Sequence, residues 1–66
     1  MSLPRLVEGL LIEHGELDPM VLMAKVRDDD TVEALCTCGT AGTKRQAKTV
    51  IVGPGGALKI TDGFQA

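Results

Sequence analysis

Two apolar segments flank the acidic stretch Arg27–Thr31, and this pattern predicts a β-hairpin over residues 20–38. Pairing the two arms about the aspartates places eight apolar or small side chains on one face: Val26 with Val32, Ala24 with Ala34, Leu22 with Cys36, and Met20 with Cys38. The other face then pairs Lys25 with Glu33 and Met23 with Leu35. The three-residue loop needs a left-handed residue, usually Gly, and Asp is the next most tolerant type. Two short helices capped by Asp18 and Asp30 are the less favoured alternative.

A second β-hairpin is predicted over residues 48–62. The β-branched run Thr49–Val52 is followed by the turn sequence Gly53–Gly56 and by a second alternating segment. We expect three cross-strand pairs: Val52 with Leu58, Val50 with Ile60, and Lys48 with Asp62. The small polar residues 39–46 between the hairpins predict an exposed loop.

Residues 3–14 fit two structures. As a helix they place apolar side chains on one face, with Ser2 as N-cap and Gly15 as the stop, although Gly9 would cost about 1 kcal/mol relative to Ala. As a strand they place Leu6, Leu10 and Ile12 on one side, interrupted by Glu8. We predict one all-β domain over residues 1–66, a small barrel or sheet of about five short strands; the alternative is an α+β fold with an N-terminal helix packed on four strands.

The composition of the 66-residue chain predicts a folded domain with a thin margin of stability. Hydrophobic residues make up 44% of the chain, but Phe64 is the only aromatic residue, so each buried side chain contributes little area. Cys36 and Cys38 are too close in sequence to form a stabilising disulfide. We therefore expect contacts with other chains to contribute to stability. No apolar run is long enough to cross a membrane and no signal-peptide pattern is present, which predicts a soluble, intracellular protein or one incorporated into a virion.

Charge divides the chain into two unlike halves. Residues 1–33 hold three basic and eight acidic residues, a balance of −5, whereas residues 34–66 hold four basic and one acidic residue, a balance of +3. The two halves either pair within one fold or favour head-to-tail association of copies. The basic residues of the second half are too few, in a chain of net charge −2, to predict a dense nucleic-acid-binding face.

No set of residues in the sequence specifies a chemistry. His14 and the two cysteines are the only soft metal ligands, and their number and spacing do not match a zinc site, so we interpret the thiols as small buried hydrophobic groups. Gly39–Lys44 lacks the spacing of a phosphate-binding loop, and Asp28–Asp30 lacks the spaced ligands of a calcium loop. We expect no enzyme, no cofactor and no metal, and we interpret His14 as a residue at the end of an element.

The favoured function is that of a non-enzymatic structural protein, a small β module that binds and stabilises a larger homo-oligomeric assembly such as a viral or phage capsid. Its partners would be copies of itself and a larger assembly protein. The alternative is a small β-barrel regulator that binds nucleic acid or a host protein through the basic second half. The residues expected to contact partners are Leu3, Leu6, Leu35, Lys44, Arg45, Lys48, Ile51 and Phe64, with Leu35 and Ile51 expected at sheet edges.

Overall fold

The computed structural model describes residues 2–39 and 44–64. Within these ranges the chain forms one helix followed by four strands: α1 (Leu3–His14), β1 (Met20–Val26), β2 (Val32–Cys38), β3 (Gln46–Val52) and β4 (Leu58–Asp62), with a short 3₁₀ turn at Pro54–Gly56. The strands form an antiparallel sheet in the order β1-β2-β3-β4. This is an open α+β sheet and not a closed barrel. The alternative prediction is therefore the correct one, and the preferred all-β prediction of five strands is wrong.

Residues 3–14 form a helix that is capped at both ends. The Ser2 hydroxyl accepts a hydrogen bond from the Arg5 N–H at 3.4 Å, and Pro4 occupies the first turn. At the other end Gly15 adopts a left-handed conformation (φ 110°), and the N–H groups of Gly15 and Glu16 bond the carbonyls of Ile12 and Leu11 in a Schellman motif. His14 is the last helical residue, as predicted. The helix has 12 residues, and no helix in the described ranges has the length and apolar character needed to cross a membrane.

Both hairpins form as predicted, apart from the beginning of β1. In the first hairpin Lys25 pairs with Glu33, Ala24 with Ala34, and Met23 with Leu35; in the second all three expected pairs are present. The first loop closes through Asp30, which has the expected left-handed conformation (φ 65°). The pairs of Leu22 with Cys36 and of Met20 with Cys38 are wrong, because a β-bulge between Val21 and Met23 shifts the register so that Val21 faces Cys36 and Met20 faces Thr37.

The core lies between α1 and one face of the sheet. Six side chains of the described residues are buried in it: Val7, Leu11, Ala34, Cys36, Cys38 and Val50. The Gly56 end of the β3–β4 connection lies close to Leu10 of the helix. Two cysteines among six core residues show that much of this core is built from small side chains. The predicted loop of residues 39–46 falls partly on residues 40–43, which lie outside the described ranges.

Candidate protein-interaction surface

The sheet has a second face that α1 does not cover, and we call it the open face. Its side chains stand in three rows across the strands, because residues that pair across an antiparallel sheet lie on the same side. The first row is Lys25, Glu33, Ile51 and Lys59; the second is Met23, Leu35, Thr49 and Thr61; the third is Met20, Thr37 and Ala47.

The open face carries an apolar patch that is interrupted by Thr49, and its margin is polar. Leu35 and Ile51 are half-buried, and Met23 and Met20 are 43% and 51% exposed. Lys25 and Glu33 form an ion pair at the margin, with Nζ and Oε1 3.5 Å apart. An apolar centre surrounded by polar groups is the usual arrangement of a protein–protein interface. Leu35 and Ile51 lie on the central strands β2 and β3, so the prediction that they occupy sheet edges is wrong.

Thr49 is the buried polar residue at the centre of the open face. Only 3% of its surface is exposed, and its hydroxyl donates a hydrogen bond to the Gly63 carbonyl at 2.8 Å. The Gly63 N–H in turn donates to the Ala47 carbonyl at 2.9 Å, so the chain stays beside β3 after β4 has ended. Phe64 therefore leaves the sheet at the margin of the open face, and it is 49% exposed.

The predicted contact residues divide between different sides of the molecule. Leu35, Ile51 and Phe64 belong to the open face or its margin, whereas Leu3 and Leu6 lie on α1, on the opposite side of the sheet. Leu3 is half-buried and Leu6 is 48% exposed. The structure thus brings some of the predicted apolar anchors together and separates the helical ones from them.

Two of the predicted basic contact residues are engaged within the chain. The Arg45 guanidinium donates to the Asp18 carboxylate at 3.0 Å and to the Asp18 carbonyl at 2.6 Å, and it also donates to the Thr37 hydroxyl and carbonyl. This fork holds the α1–β1 connection against the end of β2. Lys48 donates to the Asp62 carboxylate at 2.9 Å, and this hydrogen bond raises the pKa of the ammonium group. Lys44, which precedes Arg45 in the sequence, is exposed.

The two thiols lie on the helix side of β2 and are buried. Burial and the neighbouring Cys38 raise the pKa of the Cys36 thiol to about 12, and burial is also the main cause of the raised pKa of Cys38. Both groups are neutral near pH 7, and a neutral buried thiol is a poor nucleophile and a poor metal ligand. His14 instead lies 3.9 Å from the Glu16 carboxylate, and no group of three or more His, Cys, Asp or Glu residues within residues 2–39 and 44–64 could hold a metal ion.

Three features of this surface were not predicted from the sequence: the Arg45 fork, the buried Thr49 and a contact between α1 and β1. In the last of these the Val21 N–H donates to Glu8 Oε2 at 3.1 Å. In the sequence, Glu8 only interrupts an apolar alternation. Its carboxylate is the one feature that could have indicated the contact, because a helical Glu beside a strand edge can accept a hydrogen bond from a free backbone N–H.

Comparison of the chain with protein-family models, with curated proteins and with solved structures gives no match.

Proposed function

We propose that the protein is a non-enzymatic assembly module that docks through the open face on a larger homo-oligomeric protein structure, such as the shell of a viral or phage particle. The observation that supports this proposal is the uncovered sheet face itself. Sheets in globular domains bury their apolar side chains against a second layer. Here α1 supplies that layer on one side, while Met23, Leu35 and Ile51 face outward on the other.

The size of the open face favours docking of many copies. Four strands of five to seven residues present about 400 Å² from strand spacing and rise. A stable interface of ordinary size buries about 800 Å² on each partner. One open face therefore supports a modest affinity, which becomes useful where a repeating structure offers many equivalent sites and several linked copies bind together.

The regulator that binds nucleic acid has less support. Arg45 and Lys48, two of the four basic residues on which that function depends, make ion pairs with Asp18 and Asp62. A salt titration of DNA and RNA binding by fluorescence anisotropy separates the two functions. Binding of DNA or RNA that weakens steeply as salt is added would favour the regulator over the assembly function.

The assembly function is tested with matched leucine variants on opposite sides of the sheet. Leu35→Glu puts a charge at the centre of the open face, and Leu6→Glu makes the same change on the exposed side of α1. A tagged copy of the chain is expressed in the cells that produce it and separated on a density gradient. We expect the unchanged chain and Leu6→Glu to sediment with a large protein assembly, and Leu35→Glu to remain in the light fractions. Circular dichroism checks that both variants are folded.

Two results would overturn this proposal. In one, the unchanged chain sediments only as a small free species. In the other, Leu6→Glu and not Leu35→Glu releases the chain, which would place the docking surface on α1.

A further inference from the structure

The two edges of the sheet differ in chemical character. The outer strand β4 has five residues, and Lys59, Thr61 and Asp62 are exposed along it. The other outer strand, β1, has seven residues and exposes four large apolar side chains: Met20, Leu22, Met23 and Val26. Short, charged edges resist pairing with another chain, whereas longer apolar edges are templates for it. By this criterion β4 is protected and β1 is available.

The hydrogen bonds of the first hairpin show which backbone groups of β1 point outward. The Arg27 N–H donates to the Thr31 carbonyl at 2.7 Å, which makes these two residues a hydrogen-bonded pair. Such pairs alternate with pairs that turn their N–H and C=O groups away from each other. From the observed register, Lys25 and Met23 bond to β2, whereas Ala24 and Val26 direct their backbone groups to the side on which no strand of the described residues lies.

The same alternation accounts for the contact between α1 and β1. Val21 lies beyond the bulge and also turns its N–H outward, where it bonds Glu8. Glu8 thus occupies the beginning of the β1 edge and leaves the part around Ala24 for another strand. Ile12 follows Glu8 by one helical turn, so it lies on the same side of α1, and it is 61% exposed.

We propose that β1 pairs antiparallel with β1 of a second copy of this chain, around a two-fold axis at Ala24. This register makes the outward-pointing Ala24 residues a hydrogen-bonded pair with each other. It also sets Lys25 opposite Met23 of the second copy, which keeps the two Lys25 ammonium groups apart. An axis at Lys25 would place these like charges directly opposite each other, which is destabilising.

A second copy fits the edge better than an unrelated strand because pairing of the two β1 strands leaves no β1 edge open to a third chain. The β1–β1 dimer is one eight-stranded sheet whose two outer edges are both the protected strand β4. Pairing of β1 with β4 of another copy would instead extend without end and would bring the polar β4 edge against apolar side chains. In the closed dimer the same register sets the exposed Leu22 opposite the exposed Val26 of the second copy, so that each covers part of the other.

The dimer also bears on docking. A two-fold axis perpendicular to the sheet keeps both open faces on one side, so the dimer presents about 800 Å² from strand spacing and rise, the area of one side of an ordinary interface. This consequence rests on the proposed function, whereas the β1 pairing itself does not.

The pairing is tested first by molar mass in solution. Light scattering after size exclusion is expected to give twice the 6.9 kDa mass of the chain at high concentration, with dissociation on dilution. Ala24→Pro removes an outward N–H without breaking a bond to β2, so it should give a monomer with a β-rich circular dichroism spectrum. Val26→Lys should weaken the dimer at least tenfold, while the matched change Thr61→Lys on the β4 edge should leave it unchanged.

A cross-link tests the register. Ala24→Cys places two thiols on the axis with Cα atoms about 5.5 Å apart, within the range of a disulfide. Under mild oxidation we expect a covalent dimer from Ala24→Cys and none from Lys59→Cys on the opposite edge. A monomer at every concentration, open-ended polymers, a dimer that survives Ala24→Pro, or cross-linking equally from Lys59→Cys would each overturn the inference. These readouts need no scaffold, so a failed dimer and a failed docking experiment remain distinguishable.

Discussion

At the scale of single residues, the two cysteines show how the small core is filled. Cys36 is fully buried and Cys38 nearly so, and both face α1 beside Ala34 and Val50. A thiol contributes apolar contact in so small a space as long as it keeps its proton. The sequence interpretation of these residues as small buried hydrophobic groups agrees with their position, and their burial links the stability of the fold to alkaline pH.

We predict that stability falls as the pH rises above 9. The Cys36 thiol has a pKa of about 12 in the folded chain against an ordinary value of 9.0. Between these values the unfolded chain loses the proton and the folded chain keeps it, so the free energy of unfolding decreases, by up to about 1.4 kcal/mol per pH unit for one proton. Below pH 9 the contribution is fully present. Urea unfolding under reducing conditions at pH 7, 9 and 10 measures the slope.

Cys36→Ala serves as the matched variant for this prediction. It removes the titrating thiol, so its stability should change less than that of the unchanged chain between pH 9 and 10. Lys48, whose pKa is raised by its hydrogen bond with Asp62, is present in both proteins, so its titration contributes to both slopes and does not account for a difference between them. Equal slopes for the two proteins would show that Cys36 does not carry the effect.

At the scale of elements, α1 contains a glycine that the structure does not require. Gly9 is exposed in the middle of the helix, and a Cβ added there would meet nothing within 4 Å. Gly9→Ala should therefore raise the free energy of unfolding by about 0.5–1 kcal/mol, since Ala loses less backbone entropy on helix formation. Denaturant unfolding measures the gain. Gly15→Ala is the informative contrast, because Gly15 has a left-handed conformation (φ 110°) and the same substitution there should destabilise.

The hairpins were predictable from the sequence, whereas the choice between helix and strand for residues 3–14 was not. The cross-strand pairs follow from a two-residue period and from turn residues, both of which are local. In the N-terminal segment the capping signals of Ser2 and Gly15 were present, but Gly9 weakened the helix and the apolar residues fitted both periods. Burial of Val7 and Leu11 against the sheet decides in favour of the helix, and that contact is not local in sequence.

The candidate surface was predictable only in part, because it too depends on contacts between residues that are distant in sequence. The alternation puts Leu35 and Met23 on one face, but it does not say which face α1 covers. The contact between Arg45 and Asp18 joins residues 27 positions apart, and it takes a basic side chain away from the surface on which it was expected. The bulge at the beginning of β1 lies next to Val21, whose N–H bonds Glu8 of the helix. The apolar pattern of the two strands alone does not predict this bulge.

At the scale of the whole molecule, the fold depends on a few large side chains. Within residues 2–39 and 44–64, Leu11, Val7 and Val50 are the largest fully buried side chains, while eight large apolar side chains are exposed. In the described part of the chain, full burial of apolar side chains is thus confined to one layer between α1 and the sheet. A domain of this size holds only about 3–5 kcal/mol in a single core. The loss of one large buried side chain is therefore comparable with the entire stability.

Leu11→Ala should accordingly unfold most of the isolated chain at 25 °C. Removing a buried leucine costs about 2–5 kcal/mol, which is as much as the ~3–5 kcal/mol that such a core supplies. Leu6→Ala removes the same atoms from an exposed position on the same helix and should change the free energy of unfolding by about 0.5 kcal/mol or less. Urea titration followed by circular dichroism compares the two variants. A cooperative transition of Leu11→Ala close to that of the unchanged chain would mean that the contact between α1 and the sheet does not hold the fold together. In that case the sheet would have to draw its stability from the open face or from the β1 edge.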